Sequence, residues 1–133
     1  MRPRKNGWST IARSVGLDGG WQVAVVQALA LFVLAGLAEI GGGWLVWQWL
    51  REQRPWFFGA LGGLILILYG VIPTLQSEPA FGRVYAAYGG VFVVLSLLWG
   101  WRVDAWIPDR WDLLGAGLCL AGVIVIMFGP RTA

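Results

Sequence analysis

The chain has 133 residues, of which 58% are hydrophobic and 13% are charged. A water-soluble globule of this size lacks the interior to hide so much apolar surface, so we expect lipid to be its solvent. One cysteine and no histidine argue against an intrachain disulfide, haem axial ligation, the usual zinc ligand sets and Ser-His-Asp catalysis. We therefore expect no enzyme activity, no cofactor and no metal site.

The first 21 residues are polar and include four basic residues: Arg2, Arg4, Lys5 and Arg13. Because they show no sustained helical period, we predict a flexible basic tail over 1–21 and a transmembrane domain over 22–133. A signal peptide is the alternative, since a basic start precedes an apolar run with small residues at 35–38. The continuation of that run through Glu39 to Leu50 argues against this alternative.

Four apolar spans follow, each near the roughly 20 residues that cross a hydrocarbon core of about 30 Å. They cover about residues 26–50, 56–76, 83–101 and 111–129. Short polar connections predict antiparallel neighbours. The fold class is therefore an all-α, multi-pass integral membrane protein.

The charge distribution argues against nucleic acid as a partner and leaves the membrane orientation open. The net charge of +3 is modest, and the basic residues lie at span ends or in the tail, unlike the basic face of a nucleic-acid-binding protein. The side with both termini has six Lys or Arg against four on the other, but the tail supplies four of the six. Since the spans and the tail favour opposite orientations, dual insertion is possible.

Glu39 is placed deep in the first span, where a charged side chain costs on the order of 2.5–3.5 kcal/mol. Desolvation favours the neutral carboxyl, so we expect an acid that holds a proton and releases it when water or a cation arrives. The alternative is a protonated acid that only hydrogen-bonds a neighbouring helix. Small residues at helical spacing, including Gly43, leave room beside the carboxyl.

The third span places Tyr85, Tyr88 and Phe92 on one helical face next to Gly89. Aromatic faces attract cations by roughly 0.5–2 kcal/mol, so with a carboxylate they are typical of an organic-cation site. Interface anchoring of the two tyrosines and plain packing of Phe92 are the alternatives. Arg83, at the start of this span, either reaches the headgroups, pairs with Glu78 or points inward.

Tryptophans flank the first and third connections and predict an aromatic belt on one membrane side. The alternative for Trp44 and Trp47 is that they face a cavity. The fourth span carries small residues that are typical of helix association, among them Gly115, Cys119 and Gly122. Because four thin helices enclose little space, we expect a second copy to complete the site.

At these residues the chain resembles the YnfA family, small membrane proteins related to the small multidrug resistance exporters of the drug/metabolite transporter superfamily. The resemblance covers about Ala28 to Arg131 and implies a location in the bacterial inner membrane. Its most specific stretch is Gly-Arg-Val-Tyr-Ala-Ala-Tyr-Gly-Gly-Val at 82–91, supported by Ala-Glu-Ile-Gly at 38–41 and by 112–122.

The resemblance implies an antiparallel homodimer in which one buried glutamate per subunit, here Glu39, serves protons and a cationic substrate in turn. Tyr85 matches the exporters' third-helix tyrosine, and residues 117–123 resemble their dimer-forming helix. Tyr88 replaces a tryptophan, Arg83 has no counterpart and the basic tail is extra, so substrate identity does not carry over.

The leading hypothesis is proton-coupled export of organic cations by a homodimer in the lipid bilayer. Glu39, Tyr85 and Tyr88 are the predicted binding residues, and the candidates for a cavity or gate are Gly43, Trp47, Arg83 and Gly89. A non-transporting membrane subunit and a small uncoupled channel are the alternatives.

Overall fold

The computed structural model describes residues 19–77 and 80–130. Four helices follow one another: α1 (Gly20–Leu50), α2 (Trp56–Val71), α3 (Phe81–Arg102) and α4 (Arg110–Phe128). A 3₁₀ turn, Ile72–Leu75, extends α2. All four are long and apolar enough to cross a membrane once this turn is counted with α2, which confirms the predicted all-α fold of four spans.

The first helix starts earlier than predicted, at Gly20 rather than near residue 26. At 1.5 Å per residue its 31 residues are about 46 Å long, more than a hydrocarbon core of about 30 Å, so part of it lies outside that core or the helix tilts. The other helix ends lie within a few residues of the predicted ones, apart from the 3₁₀ ending of α2. The rest of the predicted basic tail, residues 1–18, lies outside the described residues.

The chain divides into two compact units, Met1–Ala30 and Leu31–Ala133. The described part of the first unit is the start of α1, whose residues are nearly all exposed. The second unit has a small core formed by Phe32 and Ala35 of α1 together with Val84, Ala87 and Tyr88 of α3. Between 6% and 22% of each span is buried, so most apolar side chains face outward, as expected where lipid is the solvent.

Glycines lie at close helix contacts in the second unit. A Cβ atom at Gly62 of α2 would lie 2.6 Å from the backbone oxygen of Gly42 of α1, and one at Gly42 would lie 3.0 Å from the oxygen of Gly62. On α3, Gly90 accommodates Val123 of α4, whose Cγ2 atom would clash with an added Cβ. These contacts are the small-residue packing that membrane helices use in place of hydrophobic burial.

The start of α4 is fixed by a capping box. The Asp109 side chain accepts hydrogen bonds from the backbone N–H groups of Trp111 and Asp112, at 2.7 and 3.0 Å. The Asp112 side chain in turn accepts one from the Asp109 N–H at 2.8 Å. Donors that would otherwise be unpaired at the helix start are thereby satisfied, so the polar loop passes directly into an apolar helix.

We predict that Gly62→Ala destabilises the protein by about 1–3 kcal/mol, because the new methyl group meets backbone of α1 rather than a flexible side chain. Gly63→Ala is the matched control, since a Cβ there meets nothing within 4 Å. Reversible unfolding in mixed micelles measures both variants. Equal free energies of unfolding for the two would contradict the close α1–α2 contact.

Candidate functional site

Glu39 is held by a hydrogen bond between two helices. It lies partly buried in α1, and the hydroxyl of Tyr88 on α3 donates to its Oε2 atom at 2.5 Å. Tyr88 is only 4% exposed and belongs to the core. The carboxyl is therefore directed into the helix bundle rather than toward lipid, the arrangement expected of an ionisable group in a membrane span.

Four aromatic rings surround Tyr88. The distances between ring centroids are 6.1 Å to Phe32, 5.9 Å to Tyr69, 6.3 Å to Tyr85 and 5.8 Å to Phe92. All lie in the range of attractive aromatic contacts. The carboxyl thus adjoins a cluster of rings contributed by α1, α2 and α3, and the face predicted from Tyr85, Tyr88 and Phe92 is brought together on α3.

Tyr69 of α2 is a member of this cluster that the sequence analysis missed. Its ring lies 5.9 Å from that of Tyr88, the tyrosine that donates to Glu39. A signal was present, because Tyr69 carries the only side-chain hydroxyl in the apolar run of α2. Three tyrosines from two helices are therefore grouped next to one carboxyl from a third, and a tyrosine O–H group can donate to a carboxylate or exchange bonds with a protonated acid.

A first cavity, of about 430 Å³, opens beyond Glu39 toward the end of α1. We call it the vestibule. Its lining residues include Gly43, Trp44, Trp47, Glu52, Trp99 and Asp104. Gly43 and Trp47, predicted at a cavity or gate, thus line a cavity, as does Trp44.

Two tryptophans of the vestibule are in contact. Trp44 and Trp99 meet edge to face, with ring centroids 6.3 Å apart. The buried indole N–H of Trp99 has no acceptor in the described part of the chain.

A second cavity, of about 290 Å³, lies at the other membrane side, where α2 ends and α3 begins. Tyr85 lines it together with Gly70, Thr74 and Gln76, and the Tyr85 ring also stacks on Phe81 at 4.4 Å. Arg83 is partly buried nearby but is not among the lining residues. Tyr85 therefore joins this cavity to the cluster around Glu39.

The remaining predicted residues lie apart from this cluster. Gly89 is partly buried, and a Cβ atom added there would meet nothing within 4 Å, whereas its neighbour Gly90 makes the tight contact with α4. Gly115, Cys119 and Gly122 are exposed on α4. Their predicted role in dimer packing stays a prediction.

Four membrane-crossing helices around an inward-facing glutamate define a small multi-pass protein of the cell membrane. Residues 25–132 match the family model described as "Uncharacterised BCR, YnfA/UPF0060 family", and the chain belongs to this family. The resemblance read from the sequence is thereby confirmed.

Relatives of similar size support the assignment. A UPF0060 membrane protein of Desulfitobacterium hafniense (strain Y51) is 63% identical over 107 residues, which cover 80% of this chain and 99% of the relative. The UPF0060 membrane protein YfjF of Bacillus subtilis (strain 168) is 64% identical over 103 residues, covering 77% and 94%. No solved structure gives a significant match.

We predict a coupling energy of about 0.6–1.7 kcal/mol between Glu39 and Tyr88, which extends from the average to the largest value that double-mutant cycles give for hydrogen bonds between membrane helices. A double-mutant cycle of Glu39→Leu and Tyr88→Phe, followed by unfolding in mixed micelles, measures it. Ser96→Ala replaces Tyr88→Phe in the control cycle, because the Ser96 hydroxyl donates to Phe92 of its own helix at 2.9 Å. Equal coupling energies in both cycles would contradict a specific hydrogen bond between Tyr88 and Glu39.

Proposed function

We propose that the protein exports organic cations in exchange for protons. The observation that carries the proposal is the Glu39 carboxyl, which lies within an apolar span, accepts a hydrogen bond from Tyr88 and adjoins the cluster of aromatic rings around that tyrosine. A neutral, protonated carboxyl suits a dry interior, whereas a carboxylate beside aromatic faces suits a cation. One carboxyl cannot hold both occupants, so binding of one promotes release of the other. No covalent bond changes, and we propose a transporter rather than an enzyme.

Cavities on both membrane sides support this proposal. The vestibule is lined by Gly43 and Trp47, one and two helical turns from Glu39 along α1. The second cavity reaches Tyr85, next to Tyr88. Access to the carboxyl from either side in turn is what coupled exchange requires.

The working unit that we propose is an antiparallel homodimer. Two opposed copies form the inverted repeat from which many transporters build alternating access. The exposed small residues Gly115, Cys119 and Gly122 offer a surface on which α4 can approach a second copy closely. A second copy would also enclose the Glu39 site further.

A non-transporting subunit is the second candidate, and one observation favours it. The Tyr88 hydroxyl already satisfies the Glu39 carboxyl within the chain. A protonated glutamic acid in such a bond would serve helix association alone. Transport measurements separate the two candidates.

For proteoliposomes, we predict that an imposed proton gradient drives uptake of a quaternary ammonium or guanidinium compound, and that Glu39→Gln abolishes it. The substituted amide retains the shape of the side chain and an oxygen that can accept from Tyr88, but it cannot carry a proton or a negative charge. Ser96→Ala, away from the carboxyl, is the control and should transport normally.

Three results would contradict this proposal. Normal transport by Glu39→Gln would exclude coupling through this carboxyl. A flux that follows the cation gradient alone and needs no proton exchange would identify a channel. A correctly folded protein that moves none of these cations would favour the non-transporting subunit.

We predict that the chain inserts in both orientations. Lys5→Cys and Val103→Cys, each in a Cys119→Ser background, place single thiols before α1 and after α3 in the sequence, at positions that we expect on opposite sides of the membrane. An impermeant thiol reagent applied to intact cells should label part of each population. Complete labelling of one position with none of the other would exclude the antiparallel homodimer.

A further inference from the structure

The vestibule has the chemistry of a cation site separate from Glu39. Its walls include the aromatic rings of Trp44, Trp47 and Trp99 and the carboxylates of Glu52 and Asp104. Within residues 19–77 and 80–130, neither carboxylate forms an ion pair. The volume of about 430 Å³ falls within the range of about 300–1,000 Å³ typical of small-molecule sites.

One wall of the vestibule already contacts a cation. The guanidinium carbon of Arg51 lies over the Trp47 ring, 4.8 Å from its centroid, within the distance at which cation–π attraction acts. The arginine follows directly after α1, so its side chain returns to a ring of the last turn. The Trp47 ring is therefore accessible to a planar or quaternary cation of about the size of a guanidinium group.

We propose that the vestibule binds aromatic organic cations, held by Trp47, Glu52 and Asp104, before they reach Glu39. Trp rings give the strongest cation–π contacts of the aromatic side chains. The two carboxylates attract the positive charge from the aqueous edge, and Arg51 competes with the ligand for the Trp47 ring. The claim that cations occupy the vestibule before Glu39 rests on the proposed transport, whereas binding in the vestibule itself does not.

Phenyltrimethylammonium is a suitable probe, and tert-butylbenzene, in which carbon replaces the charged nitrogen, is its neutral match. In nanodiscs, with ¹⁵N-labelled indole groups, the probe should shift the NMR signals of Trp44, Trp47 and Trp99. The signals of Trp56 and Trp111 should stay in place, since these exposed rings lie outside the vestibule. Tert-butylbenzene should give no comparable shift.

Variants test each wall of the vestibule. Glu52→Gln and Asp104→Asn should each weaken binding about two- to fivefold, the effect typical of exposed charge pairs. Asp112→Asn is the matched control, because it removes a carboxylate outside the vestibule while keeping an oxygen for the Asp109 N–H. Its affinity should equal that of the wild type.

Two further pairs of variants test the aromatic contact. Trp47→Leu should weaken binding about two- to fivefold. Trp56→Leu, also at an exposed ring near the same loop, should have no effect. Arg51→Gln should tighten binding because it removes the competing guanidinium, whereas Arg54→Gln in the same loop should change affinity less.

Titration of the Glu39→Gln variant separates this inference from the proposed transport. Vestibule binding should persist there, with the same three indole signals shifting, even though coupled uptake is lost. The inference is overturned if the probe shifts no vestibule tryptophan, if all tryptophan signals shift alike, or if Asp112→Asn weakens binding as much as Glu52→Gln and Asp104→Asn.

Discussion

The hydrogen bond from Tyr88 to Glu39 is the contact on which the arrangement of the helices depends. A charged side chain at the centre of a membrane helix costs on the order of 2.5–3.5 kcal/mol, so the carboxyl has to find a partner inside the protein. Meeting Tyr88 fixes the rotation of α1 against α3. The same rotation of α1 turns Gly42 toward α2. It also turns Gly43 and Trp47 toward the vestibule.

The two proposed sites differ in character. Glu39 lies in the apolar part of the bundle beside the Tyr88 hydroxyl, where we propose that a proton and a cation compete for one carboxyl. Glu52 and Asp104 lie at exposed positions near the aqueous edge, where salt screens their charge and the proposed binding would be weak. A weak outer site and a dry inner one would let a cation collect at the surface before it exchanges with the proton.

Hydropathy predicted the four spans, and the cost of a membrane-buried charge singled out Glu39, whose role stays a prediction. Helical periodicity also placed Tyr85 and Tyr88 on one face, since their spacing lies within a single helix. Tyr69 could not be placed in the same way, because its contact with Tyr88 depends on how α2 rotates against α3. The Gly42–Gly62 contact, likewise, depends on a helix crossing that leaves no periodic mark in the sequence.

Proton release on ligand binding is a direct test of competition at Glu39. Phenyltrimethylammonium is added to the detergent-solubilised protein in weakly buffered solution, at a series of starting pH values, and the change in pH is recorded. We expect the wild type to release protons as the cation binds, and Glu39→Gln to release none. Binding to the wild type without proton release, or equal release by both proteins, would contradict competition at Glu39.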